Sequence, residues 1–290
     1  MAIVPVDIIL PVQNRDTLLM VASTILSEMA AVEHTALGQL LVCDGGSTDP
    51  TCLRQIETVS QWEKVRVLHC KHAECSAEFN KSWLMNQGLA AATAEVVLIS
   101  DVDILWEAAV LEAIALSAAK HPQRVYSVLK VKESDPAAVA VRRQRYTYRI
   151  EESATHTLVE ICPAVIGEKT RPGCGMVCAQ RQVFEHVGGY KTCFMGWGWE
   201  DQDFLIRAQL LGYEVSALGT VVHLSHGDAQ RHSAAESIEK SRDRNIMRCL
   251  RALKEGDLRG DLTAARLQER PSDRTISVRY PPDLDSLQSQ

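Results

Sequence analysis

No apolar run in this sequence reaches the ~20 residues that a membrane-spanning helix needs. Met1–Leu10 lacks a basic stretch and carries Pro5 and Asp7, which argues against a signal peptide. Positive charge is also short. The 31 Lys and Arg against 37 Asp and Glu leave a formal net charge of -6, so no global attraction to phosphate backbones exists and no nucleic-acid partner is expected. The 9 Cys show no repeated metal-type spacing, and an odd number in a chain this long reads as buried or free thiols in a reducing compartment, not as a disulfide framework. Cys70 with Cys75, and Cys174 with Cys178, are near enough in sequence to suggest zinc, but small buried hydrophobes are the better reading. There is no internal repeat. These absences lead to the expectation of a cytoplasmic protein without a transmembrane segment, with peripheral membrane contact left open.

What is present is enough for a sizeable core: 290 residues, 46% of them hydrophobic, fit one large domain or two closely joined halves. Ile3–Val12 is an apolar, β-rich run holding Pro11, and reads as a buried first strand. Asp16–Glu33 has apolar residues at helical spacing, and Leu37–Cys43 is a second apolar run that stops at the turn Asp44-Gly45-Gly46-Ser47-Thr48-Asp49-Pro50. A helix to about Trp62, a strand at Val65–His69, a helix at Ala77–Ala92 and an apolar strand at Glu95–Ser100 follow. Strands alternating with helices predict an α/β fold with a mostly parallel sheet flanked by helices. Ligands of such sheets bind beyond the carboxyl ends of the strands. Pro11–Arg15, Asp44 and Asp101–Asp103 all fall there.

The later sequence is less regular. Val125–Val131 reads as a strand and Lys132–Arg171 as a polar, mixed segment with no clear period. Gly173–Ala179, the Gly-rich stretch 188–198, a helix at Asp201–Leu211 and a strand at Glu214–His223 follow. Ala234–Lys254 has the pattern of a helix, and Arg259–Gln290 reads as a polar tail that frays or wraps the surface. The expected division is a first half at 1–120, a second half at 121–230, and a helix with a tail at 231–290.

Three constellations carry chemistry. Asp101-Val102-Asp103 follows a buried strand; on extended backbone residues two apart face one side, so both carboxylates are expected to project together as hard ligands for Mn²⁺ or Mg²⁺. Two solvated turn aspartates are the alternative, and the position after the strand favours the ligands. In Gly196-Trp197-Gly198-Trp199-Glu200-Asp201, a flat aromatic surface between glycines suits a sugar ring, and an adjacent acid can take a proton from a hydroxyl. The same acids also suit the first turn of a helix. His223 and His226 follow an apolar strand; they share a metal if the backbone turns between them, and face opposite sides if it does not.

Taken together, these segments resemble inverting glycosyltransferases of the GT-A (Rossmann-like) fold over about residues 5–230. Pro11, the Asp44–Asp49 turn and Asn86-Gln87-Gly88-Leu89-Ala90-Ala91-Ala92 before the DVD strand resemble the family 2 group. Pro11-Val12-Gln13-Asn14-Arg15, Phe79-Asn80-Lys81, Ser100–Asp103 and the Gly-Trp-Gly…Glu-Asp segment are similar to β-1,4-galactosyltransferases and chondroitin-type polymerases.

The resemblance implies that Pro11, Gln13, Arg15 and Asp44 line the uridine and diphosphate pocket. Lys81 joins Arg15 in supporting the diphosphate. Asp101 lies by the ribose and metal waters, while Asp103 binds the metal with His223, His226 or both. It further implies Asp201 as general base with Glu200 beside it, and Gly175, Trp197 and Trp199 against donor sugar and acceptor. The galactosyltransferase pattern has glycine where Trp199 stands and an acid where Gln202 stands, so the sugar is undefined. The implied activity is metal-dependent, inverting transfer from a UDP-sugar to a glycan, lipid-linked or small-molecule acceptor. A nucleotide-sugar-forming nucleotidyltransferase competes with it, but Val12–Thr17 lacks the Gly-rich loop usual there. A metal-dependent hydrolase or a non-catalytic sugar- or nucleotide-binding module is the other alternative.

Overall fold

Eight strands form the central sheet of the computed structural model, which describes residues 3–70, 79–135, 146–164, 170–196, 198–226, 237–262, 275–282 and 284. The first half alternates as expected: β1 (Val4–Val12), α1 (Leu18–Ala30), β2 (Thr35–Asp44), α2 (Pro50–Ser60), β3 (Val65–His69), α3 (Lys81–Ala91) and β4 (Val96–Ile99). Then come β5 (Ile104–Leu105), α4 (Ala108–Lys120), β6 (Arg124–Glu133), β7 (Tyr146–Glu152), β8 (His156–Pro163) and β9 (Thr170–Gln180). The chain continues with α5 (Arg181–Val187), α6 (Glu200–Leu210), β10 (Glu214–His223), α7 (Ile238–Lys254) and β11 (Thr275–Arg279). The sheet order is β3-β2-β1-β4-β9-β6-β10-β5, with β9 and β5 antiparallel to their neighbours and the other pairings parallel. The carboxyl ends of β1, β2, β4, β6 and β10 therefore share one edge.

Both faces of the sheet are covered, which is why its inner strands read as continuous apolar runs and not as alternations. Alternate residues of β1 serve opposite faces: Val6, Ile8 and Leu10 pack with α1, α2 and α4, and Ile9 packs with α3, α5 and α6. Two caps set the helices at the functional edge. Asp49 accepts from the amides of Thr51 and Cys52 to start α2, and Asn80 accepts from Trp83 to start α3. Asp7 is wholly buried in β1, and its carboxylate accepts from the amides of Gln39, Thr93 and Ala94, fixing the connection into β4.

The structure revises the second half. The polar stretch 132–171, which showed no period, contains the hairpin β7–β8, and the described part of the tail is not loose. β11 pairs in parallel with β8, making a second sheet of order β11-β8-β7. Val159 and Ile161 of that sheet, Ile246, Leu250 and Leu253 of α7, and Leu284 form a third apolar cluster. The sequence pattern failed there because each strand of this small sheet buries one face only, and polar residues on the other face break the apolar run. Residues 136–145 and 165–169 of that polar stretch lie outside the described residues, as do the expected helix starts at Ala77 and Ala234.

Candidate active site

β1 and β2 end in two loops that are laced together. Gln13 Nε2 donates to Gly45 O at 3.0 Å, and the Asn14 side chain accepts from the amides of Thr48 and Asp49. Asn14 has a φ of 51°, a left-handed conformation that Asn tolerates better than most residues. Asp44 is buried at the end of β2, with Oδ1 accepting from Ser47 N at 2.9 Å and Oδ2 3.5 Å from His69 Nδ1. Pro11 is buried one residue before the strand end. The expected donor-pocket residues Pro11, Gln13, Arg15 and Asp44 thus occupy adjoining positions on the edge.

The DVD tripeptide behaves differently from expectation. β4 stops at Ile99, and 101–103 form a turn, so alternation along a strand does not apply and the two carboxylates part company. Asp101 Oδ1 meets Lys81 Nζ at 2.8 Å. Asp103 instead turns to the two histidines: its Oδ2 is 3.5 Å from His223 Nε2 and 3.1 Å from His226 Nε2. β10 ends at His223, and the turn after it brings His226 back to the same side. One ligand atom from each of Asp103, His223 and His226 lies within 4.8 Å of the others, the cluster with metal-ligating geometry among the described residues. Cys70, Cys174 and Cys178 take no part in it, and Cys75 lies outside the described residues. Burial alone would push Asp103 up, but hydrogen bonds from both histidines and the charge of Arg15 hold it well below the usual carboxylate range. Arg15 Nη1 is 3.3 Å from His226 Nε2.

Glu133 is the residue that sequence reasoning missed. It is the register partner of His223 on β6, and its Oε2 lies 2.6 Å from His223 Nδ1. Arg171 Nε sits 3.4 Å from its other oxygen. Burial raises Glu133, but His223 and Arg171 outweigh that and bring it down to about 2. The signal would have been the alignment of the ends of β6 and β10, which needs the sheet order.

A second knot of charge lies at the start of α6. Lys81 Nζ is 3.3 Å from Asp201 Oδ2 and 3.5 Å from Glu200 Oε1, in addition to Asp101. Asp201 Oδ1 is buried and makes no hydrogen bond among the described residues. Gly175 faces this knot: a Cβ there would sit 3.0 Å from Asp201 Oδ2 and 3.2 Å from Asp101 Oδ2. It does so because β9 is bulged. Ser127 pairs with Val177 and the next residue, Val128, with Gly173, leaving 174–176 displaced from the ladder.

The loop before α6 is built from left-handed residues. Gly196, Gly198 and Trp199 have φ of 75°, 89° and 79°, the last at about 1–2 kcal/mol for a residue with a side chain. Asn245 and Ser241 of α7 hold the loop by donating to Met195 O, and Asn245 also donates to Gly198 O. The Trp199 ring is 5% exposed and packs in the third apolar cluster, so it faces the core and not an open cleft. Trp197 lies outside the described residues.

A curled, mostly parallel sheet flanked by helices is the architecture of GT-A glycosyltransferases, and in this chain the acid–histidine cluster lies at its carboxyl edge. Residues 7–231 match the family model described as glycosyltransferase like family 2, and the chain belongs to that family. Among solved structures, the mannosyltransferase PcManGT from Pyrobaculum calidifontis, in complex with GDP-Man and Mn²⁺, matches at TM-score 0.54 and 18% identity over 86% of this chain. GalNAc-T7 with UDP, GalNAc and Mn²⁺ matches at TM-score 0.60 and 13% identity, again over 86% of this chain. The chain spans 63% of the first and 48% of the second. A sequence search of curated proteins finds no match. Among the described residues, no helix is long and apolar enough to cross a membrane.

Proposed function

We propose that this protein transfers a sugar from a nucleotide-sugar, a UDP-sugar in the first instance, to an acceptor hydroxyl with inversion at the anomeric carbon. The observation that carries the reading is the pairing of two built sites on one sheet edge: a metal-competent Asp103–His223–His226 cluster and a carboxylate, Asp201, at the start of α6 with one oxygen unpartnered among the described residues.

The donor set fits a metal ion. One carboxylate oxygen and two imidazole nitrogens suit a transition ion such as Mn²⁺ better than Mg²⁺, which prefers oxygen throughout. An ion held there supplies positive charge to the leaving diphosphate. PcManGT and GalNAc-T7 both carry Mn²⁺, one with GDP-Man and one with UDP, so GDP-sugars belong beside UDP-sugars in any donor panel.

The chain's own residues would divide the remaining work. Arg15, beside the cluster, adds a second cation for the diphosphate. Lys81 orients Asp101 and the two α6 acids. Asp201 takes the proton of the acceptor hydroxyl as the hydroxyl oxygen forms its bond to the anomeric carbon. The bond from that carbon to the β-phosphate oxygen breaks, and its electron pair leaves with the nucleoside diphosphate. A single displacement needs one base and no enzyme nucleophile.

Asp201→Asn tests the reading. A general base contributes about 10²–10⁴-fold, so sugar transfer should fall by that factor while Mn²⁺-dependent donor binding persists. Near-normal turnover would remove Asp201 from the role. A panel of UDP- and GDP-sugars, scored for Mn²⁺-dependent nucleotide release with glycan, lipid-linked and small-molecule acceptors, identifies the substrates.

A further inference from the structure

We propose that Glu133 is the positioning residue of the metal cluster: it fixes the tautomer and the orientation of His223, so that the Nε2 lone pair is presented beside Asp103. This deepens the metal reading above and rests on it.

The geometry begins in the backbone. Glu133 and His223 are register partners on the adjacent parallel strands β6 and β10, so their side chains leave the sheet on the same face. Glu133 Oε2 lies 2.6 Å from His223 Nδ1 and also accepts from Ser225 Oγ at 3.0 Å, while Oε1 faces Arg171 Nε at 3.4 Å. An ionised carboxylate only accepts hydrogen bonds, so His223 Nδ1 must carry a proton, and Nε2, which faces Asp103, is the nitrogen that can ligate once it gives up its own. His223 is 3% exposed, and its ring has nowhere to turn without losing this bond.

The same short segment secures the rest of the histidine turn. Ser134 N donates to His223 O at 2.9 Å, Ser225 N donates to Ser134 Oγ at 2.9 Å, and Asp135 N donates to Ser225 Oγ at 3.0 Å. On the other side, Leu224 N donates to Asp103 O at 2.8 Å. The turn from His223 to His226 is therefore clamped between the end of β6 and the DVD turn. On the β6 side of that clamp, Glu133 touches a ligand ring.

The test uses Mn²⁺ alone with the whole chain, Glu133→Gln and Glu133→Ala, reading free Mn²⁺ by electron paramagnetic resonance. Loss of a carboxylate behind a ligating histidine costs about 10–100-fold in metal affinity, and that is the drop expected in both variants. Gln keeps the size of the side chain, so it carries the test should Ala fail to fold. Nitrogen NMR of metal-free protein, taken at a pH where His223 is neutral, gives a second readout: wild-type His223 should be the Nδ1–H tautomer, and Glu133→Gln should show a mixture. Glu133→Gln binding Mn²⁺ within about twofold of wild type, with an unchanged tautomer, overturns the role. A folded wild type that binds no Mn²⁺ overturns the metal reading itself, a result distinguishable from the first.

Discussion

Lys81 Nζ lies 3.3 Å from Asp201 Oδ2, and this contact ties the start of α6 to the DVD turn because the same ammonium is 2.8 Å from Asp101 Oδ1. Glu200 Oε1, at 3.5 Å, completes the set. Burial disfavours the charged form of Lys81, but the three carboxylates more than reverse this and hold it as a cation. One cation cannot balance three acids. Burial raises Asp201; Lys81 pulls it down, Glu200 and Asp101 push it up, and the outcome is well above the ordinary carboxylate value.

This imbalance sets the expected pH dependence. A base works ionised, so activity is lost as pH falls through the raised value of Asp201, and the acid limb of kcat/KM should lie above the ordinary Asp range. Lys81→Met removes the group that lowers Asp201 and should move that limb to higher pH. Glu200→Gln removes a repelling charge and should move it to lower pH. A limb that ignores both substitutions belongs to some other group.

How much of this was legible in advance depends on the range of the interaction. The run Ile3–Val12 and the Asp44–Asp49 turn declare strand and loop through neighbouring residues, and β1, β2 and β3 lie where the pattern put them. Asp201 at the head of a helix was legible for the same reason. The parting of Asp101 from Asp103 was not, because it depends on Lys81 approaching from α3 and two histidines from β10. Glu133 was hidden more deeply: it is 90 residues from His223, and only the β6–β10 pairing joins them. The core position of Trp199 depends on α7, again a contact distant in sequence.

Metal and nucleotide should stabilise the fold together. A ligand at 100 times its Kd adds about 2.7 kcal/mol, so Mn²⁺ with UDP should raise the melting temperature by several degrees. Asp103→Asn and His226→Ala should each abolish that rise by removing ligands from the cluster. Free sugar giving the full rise without Mn²⁺ and nucleotide would point instead to a sugar-binding module.

The helix that presents Asp201 is anchored by a wholly buried ion pair. Arg207 Nε meets Asp203 Oδ2 at 2.6 Å with both side chains 0% exposed, and the guanidinium also donates to the carbonyls of Val187 and Gly189. Arg207→Met would strand a buried carboxylate and two buried carbonyls, at a cost of about 3–5 kcal/mol. Asp203→Leu combined with Arg207→Met should recover much of that loss, because the isolated charge is then gone. Urea unfolding of the three proteins measures both effects. A single variant within about 1 kcal/mol of wild type would show that the pair does not anchor α6.

Gly175→Ala separates catalysis from folding. Gly175 is not among the glycines with positive φ, so its backbone accepts a side chain without conformational strain. What the new methyl meets is the charge knot: it would lie 3.0 Å from Asp201 Oδ2, 3.2 Å from Asp101 Oδ2 and 3.5 Å from Lys81 Nζ. These are side-chain atoms, which can yield by a few tenths of an ångström, so the stability cost should stay near about 1 kcal/mol. The yielding displaces Asp201, the proposed base, and a displacement near 1 Å can cost about 10²-fold in rate. The expected result is a kcat lowered at least tenfold toward that limit, with the thermal melt and Mn²⁺ affinity close to wild type, because the atoms nearest the methyl belong to Asp201, Asp101 and Lys81 and not to the metal cluster. Unchanged kcat would mean that the positions of Asp201 and Lys81 do not set the rate, whereas a collapse of the melting temperature would mark Gly175 as structural.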